Sequence, residues 1–278
     1  MHTALWRLGG VAALLAAASP TVLAVDAAPN PAGIDWQLIA VPPGASGLSG
    51  PFRIAHTETT IAQYRRFAEA TRPTTLAERR GGGEVYEAGW TRKPGWTWRT
   101  PFGREQAVAL DEPAVHLTYG EAEAFCRWAG GHLPSDAQWR EAAYTERRPA
   151  PPAPFVHGRT YTYPTGDSPV GAQCLDECGP HARTRAVRHG TRLWRGDGHA
   201  RAGTTPAGVN GLHDMGGNAW EWVDAGAEAG TGAGDQAERR TRGGSWWYGA
   251  AQMRADHLQG KPADTAVVYI GFRCAGRP

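Results

Sequence analysis

Long apolar runs are nearly absent from this chain of 278 residues. Only one occurs, Leu8 to Ala18 behind Arg7, and it is too short to anchor a protein permanently in a bilayer. An excess of either charge is missing too. The formal net charge is +2 and the Lys and Arg residues are scattered, which excludes a nucleic-acid groove and a polybasic membrane patch. No interior linker is long or polar enough to separate one core from another, so a single domain is expected over residues 34–278. Cysteines number only four, and none stands beside a second Cys or His pair at zinc-finger spacing. The ten His residues form no His-x-x-Glu-His array.

What is plentiful is glycine, proline and tryptophan, at 37, 21 and 12 residues. Such a chain is turn-rich and plugged by large aromatics rather than built from long helices. Its first 24 residues read as a secretory signal peptide, with small residues for cleavage at Val22-Leu-Ala24. The mature protein is then periplasmic or secreted, soluble, and preceded by a mobile leader over residues 25–33. Export permits disulfides among Cys126, Cys174, Cys178 and Cys274, with three pairings open.

Asp35 to Val41 and Phe52 to Thr57 read as strands. A helix capped at Thr59 or Thr60 follows, with Ile61, Tyr64, Phe67 and Ala68 on its apolar face. Residues 74–113 read as loop. Thr118-Tyr-Gly-Glu121 and Ser135-Asp-Ala-Gln138 are capping boxes that open two more helices, the second fading at Arg147 to Pro149. His181 to His199 is expected to be exposed, and Gly226 to Ala237 to be a flexible insertion. Val267 to Cys274 reads as a final strand that pairs with early ones.

The densest pattern is Gly211-Leu-His-Asp-Met-Gly-Gly-Asn-Ala-Trp-Glu-Trp-Val223. Two carboxylates, Asp214 and Glu221, flank small residues that let the backbone turn its carbonyls inward. This is a hard oxygen cage of the kind that suits calcium. The run Arg242-Gly-Gly-Ser-Trp-Trp-Tyr248 is expected to pack against it.

Taken with His56 to Tyr64, Pro113 to Ala129, His132 to Ala143 and Gly271-Phe-Arg-Cys274, these blocks resemble the sulfatase-modifying factor family of the formylglycine-generating enzyme. The order agrees across residues 35–276. The resemblance implies an α+β domain of C-type-lectin type with little regular structure. It implies a Cys126–Cys274 disulfide, which closes a loop long enough to contribute up to about 5 kcal/mol. It also implies a calcium ion held by Asp214, Gly217, Ala219 and Glu221, with Asn218 shaping the turn.

One departure concerns chemistry. The two cysteines that bind Cu(I) in that family correspond here to Tyr248 and Met253. Neither is a thiolate, so copper is not expected and formylglycine formation is not expected. Met253 and His257 could share a helix face, although a packed Met and a rim His is the simpler reading. Cys174 and Cys178 read as a local disulfide ahead of a metal pair. What survives is a groove. Trp247, Tyr248 and Arg254 would line it, with Tyr248, Asp256 and His257 as acid/base or orienting groups. Trp246 is assigned to the core.

Two functions fit. One is an oxidoreductase-like enzyme acting on a small molecule or peptide without the cysteine pair, as in the pyoverdine-maturing member of the family. The other is a non-catalytic lectin-like module for a periplasmic partner protein.

Overall fold

A computed structural model describes residues 30–86, 89–105, 107–179, 198–226 and 237–278, together with Met1. The signal peptide, the early leader and nearly all of the Gly226 to Ala237 insertion lie outside these residues.

The fold is α+β, with three small sheets and four helices among the described residues. β1 (Trp36–Ile39) pairs antiparallel with β2 (Phe52–Ala55), and β2 pairs with β9 (Ala275–Gly276). β2 thus ties the start of the domain to its C-terminal end, through Ala275–Gly276 rather than through the strand expected over Val267 to Cys274. A second sheet has four strands, β5 (Trp220–Val223), β6 (Glu238–Arg242), β7 (Gln259–Pro262) and β8 (Ile270–Gly271). Their order across the sheet is β7-β6-β5-β8. β8 lies parallel to β5, setting Trp220 opposite Ile270 and Glu221 opposite Gly271.

The helices begin where side chains engage their free N–H groups. α1 (Ile61–Thr71) is capped by Thr60, α3 (Tyr119–Trp128) by Thr118 and α4 (Asp136–Tyr144) by Ser135. Each cap is reciprocal, because the third helical residue returns a side-chain oxygen to the cap N–H. The apolar faces of α1 and α3 meet in the main core, where Tyr64 stacks on Phe125 at 5.7 Å. Cys126 on α3 is bonded to Cys274, tying that core to the C-terminus.

Five expectations are corrected. The 74–113 loop contains α2 (Leu76–Arg79), capped by Thr75 and Glu78, and a hairpin of β3 (Glu84–Tyr86) and β4 (Trp90–Arg92). Elements of three or four residues carry no readable periodicity. The final strand is broken. Val267 to Tyr269 are buried outside any strand, Ile270–Gly271 joins the large sheet, and Ala275–Gly276 joins the small one. The helix after Ser135 stops at Tyr144. The leader's end is docked rather than loose, since Ala32 is buried and its carbonyl accepts from Arg66 Nη1 at 2.7 Å. His199 is buried instead of exposed, its Nε2 lying 3.0 Å from Glu112 Oε2. The rest of the basic stretch, residues 181–197, lies outside the described residues. No helix among the described residues is long and apolar enough to cross a membrane.

Candidate functional site

Adjacent residues of β5 face opposite ways, and this one step separates two environments. Glu221 enters an ionic knot. Its carboxylate accepts from Arg273 Nε and Nη2 at 2.7–2.9 Å and from Trp139 Nε1 at 2.7 Å. Arg273 also donates to the carbonyls of Ala55, His56 and His213. Burial works against its charge, but Glu221, Glu58 and Asp214 around it raise its pKa overall.

Asp214, in the left-handed region at φ 58°, accepts from Gly203 N at 2.6 Å and Thr205 Oγ1 at 2.5 Å. Glu58 accepts from Asn218 Nδ2 at 2.6 Å and Ala219 N at 2.9 Å. Burial first, then Asp214 and Glu221, push the Glu58 carboxyl well above the usual carboxylate range. The turn between these acids requires glycine at 217. Its φ is +79°, and a Cβ there would meet the Gln173 carbonyl at 2.4 Å. The two glycine-rich runs dock as expected, with Gly217 N donating to Gly243 O and Trp246 N to Asn218 O.

Glu58 keeps its proton, which leaves Asp214 and Glu221 as the buried carboxylates near the Arg273 guanidinium. Their oxygens already accept from Arg273, Trp139, Gly203 and Thr205, so a cation beside them would have to displace some of these donors. Among the described residues, no three His, Cys, Asp or Glu side chains group around one metal position. The remaining ligands would have to be carbonyls, as at Gly217 and Ala219, or water.

Trp220 lies on the other side of β5. Tyr248 stands edge-on to it at 5.6 Å, and the His257 ring lies 5.8 Å away. Tyr269 stands edge-on to Tyr248 at 5.7 Å. Trp220 Nε1 and His257 Nε2 are buried and have no hydrogen-bond partner. A buried donor left unpaired costs about 1–3 kcal/mol, and native proteins keep such groups mainly where water or a ligand meets them. Burial first, then the charge of Arg242, lower the His257 pKa, with Asp256 partly offsetting them. The imidazole is thus kept neutral. Burial raises the Tyr248 pKa, so its phenol stays protonated.

Arg242 positions this site from behind. It forks onto Asp136 of α4 at 2.7 and 2.8 Å and donates from Nη1 to the His257 carbonyl at 2.5 Å.

The sequence-derived candidates separate here. Tyr248 and His257 converge on Trp220. Asp256 does not: it is paired with Arg254 at 3.0 and 3.1 Å, which lowers its pKa. Trp247 is half-buried against Trp246, ring to ring at 5.3 Å, and Trp246 belongs to the core. Met253 is fully buried beside Cys174 and Cys178, so it shares no open face with His257. Those two cysteines form a disulfide, and no cysteine is free. Their loop braces the site, because Leu175 N donates to the Tyr248 carbonyl at 2.9 Å. Trp220, Tyr269 and Glu58 were not singled out from the sequence. Trp220 sits in a recognisable block, but nothing local distinguishes a core indole from one lining a site.

The sequence model of the sulfatase-modifying factor enzyme 1-like domain matches residues 30–278. The chain is 29% identical to a protein named hercynine oxygenase from Mycolicibacterium thermoresistibile, over 92% of this chain and 56% of that protein. It is 30% identical to a formylglycine-generating enzyme from Mycobacterium tuberculosis, over 68% and 66% of the two chains. Against an inactive C-alpha-formylglycine-generating enzyme 2 from Bos taurus the identity is 26%, over 82% and 79%. The chain thus spans little more than half of the first of these and about two thirds of the second. Among solved structures, CarF superposes with a TM-score of 0.57 at 17% identity, covering 89% of this chain and 99% of CarF. PvdO from Pseudomonas aeruginosa superposes with 0.54 at 16%, covering 88% and 92%. Both likenesses concern the fold.

Proposed function

This chain belongs to the sulfatase-modifying factor family, and from that premise we propose that it is an exported oxidoreductase-like member acting on a small molecule or peptide without a cysteine pair. The observation that carries the reading is the pair of unpartnered buried atoms, Trp220 Nε1 and His257 Nε2, beside the Tyr248 ring. The indole N–H is a donor in wait for an acceptor. The neutral imidazole takes a proton at Nε2, and the protonated phenol of Tyr248 offers a hydrogen bond that orients the substrate. Arg254 and Asp256 form a charged rim outside. Chemistry of the kind performed by the pyoverdine-maturing member is the finer form of this proposal.

Oxygen uptake with candidate substrates tests it. Turnover by the wild type that falls at least about tenfold in Tyr248→Phe and in His257→Gln is expected. Equal consumption by all three proteins overturns it.

The absence of free thiols, together with the likeness to a relative named inactive, favours a second reading, a lectin-like binding module for a periplasmic partner. A ligand bound by the wild type with no product formed selects that reading.

The proposal extends to calcium at Asp214, Gly217, Ala219 and Glu221, supported by two buried carboxylates, Asp214 and Glu221, set near a single arginine. Elemental analysis should find calcium, and chelation should lower the thermal midpoint. No calcium and an unchanged midpoint overturn this extension.

A further inference from the structure

Beyond Trp246 lies a cleft of about 500 Å3, whose lining includes Gly81, Trp96, Phe102, Gly103, Arg104 and Glu105. Its walls are aromatic. Trp96 and Phe102 stand edge to face at 5.5 Å, and Phe102 is fixed from behind by Trp246 at 6.1 Å and His199 at 5.0 Å. Its shape depends on backbone without side chains. Gly103 has φ +93°, and a Cβ there would come within 2.9 Å of Trp96 Nε1, so any other residue would push the indole aside. Gly81, with nothing within 4 Å of its Cβ position, leaves the mouth open.

Two opposite charges stand at the cleft. Arg104 is exposed and runs over Gly95, its Cγ and Nε 3.8 Å from where a glycine Cβ would be. Glu105 is exposed beside it. No salt bridge among the described residues uses either one, although nearby exposed arginines are paired, Arg92 with Glu84 and Arg99 with Glu78. A cleft walled by Trp96 and Phe102, with one guanidinium and one carboxylate at its lip, matches a ligand with an aromatic ring, a carboxylate and an amine.

We propose that this cleft is a second binding site, separate from the Trp220 site, for an aromatic zwitterion of the amino-acid class. The ring lies in the cleft against the Trp96 and Phe102 walls. The ligand carboxylate meets Arg104 and its ammonium meets Glu105. This goes beyond the reading of the Tyr248 site and does not rest on it.

Three indoles serve as probes in titration calorimetry on the mature protein: L-tryptophan, indole-3-acetate and tryptamine. L-tryptophan should bind tightest. Arg104→Ala should weaken L-tryptophan and indole-3-acetate by about tenfold or more while leaving tryptamine unchanged. Glu105→Gln should weaken L-tryptophan and tryptamine and leave indole-3-acetate unchanged. Both positions are exposed, so folding is not at stake, and thermal midpoints equal to wild type verify this. Tyr248→Phe should leave all three affinities unaltered, which separates failure here from failure of the catalytic reading. Equal binding of all three probes, no binding at millimolar concentration, or affinities indifferent to Arg104 and Glu105 would overturn the proposal.

Discussion

Glu221 and Trp220 are neighbours on one strand, yet they have opposite fates. Around Glu221 both carboxylate oxygens accept N–H groups from Arg273, and one accepts from Trp139 as well. Around Trp220, the indole N–H and the His257 Nε2 are buried and meet nothing. Where polar atoms are all engaged, the residues hold the fold together. Unpartnered buried atoms carry a cost, but Tyr64 Oη and Trp246 Nε1 in the main core share that state, so what distinguishes Trp220 is the convergence of Tyr248 and His257 on it. The glycine-rich block of this chain thus sets an ionic knot and an aromatic cluster on alternate residues of β5, and sequence position alone does not distinguish them.

The sharpest way to break the comparison is to disable the ionic side. Arg273→Met leaves Glu221 buried without its guanidinium, beside Glu58 and Asp214. A loss of about 3–5 kcal/mol follows, or roughly 10 °C in thermal midpoint, if the variant folds at all. Next comes the double variant Cys126→Ser/Cys274→Ser. Its loop of 148 residues in sequence separation gives an expected loss of about 2–5 kcal/mol in denaturant titration.

A smaller effect concerns Glu58 and pH. Its carboxyl pKa is raised in the folded state, so the folded protein keeps a proton that the unfolded chain releases. The associated stability is full below the unfolded value near 4.5 and is lost as pH rises through the folded one. In metal-free buffer the thermal midpoint should therefore decline from about pH 5 upward more steeply in the wild type than in Glu58→Gln. Parallel profiles would remove Glu58 from the knot's charge balance.

The smallest stability effects belong to the aromatic side. Tyr248→Phe and His257→Gln should each change stability by less than about 1 kcal/mol, because Phe keeps the ring contacts of Tyr248 with Trp220 and Tyr269 and His257 Nε2 has no partner to lose. Their effect should appear in turnover instead. A large stability loss in either would make this region scaffold as well.

Much of the site was legible in the residues. The capping boxes at Thr118 and Ser135 are local hydrogen-bond chemistry, complete within four residues, and they stand as read. The contact between the two glycine-rich runs follows from small residues that admit close backbone approach. Asp256 was misplaced because polarity and spacing say nothing of which way a side chain turns, and Arg254, two residues away, holds it outward. Arg273 was missed for the converse reason. A charged residue in an apolar segment has no meaning until the partner arriving from 52 residues away is known.

Sequence by itself determined the family, the α+β class and the starts of the helices at Thr118 and Ser135. Each depends on identity or on contacts a few residues long. Tertiary structure alone decided that Glu221 faces Arg273 and that Tyr248 and His257 meet at Trp220; the disulfides Cys126–Cys274 and Cys174–Cys178 stand as the resemblance and the local spacing implied. Burial, charge pairing and the neighbours of a buried nitrogen are properties of surroundings assembled from distant segments. No single stretch of chain carries them.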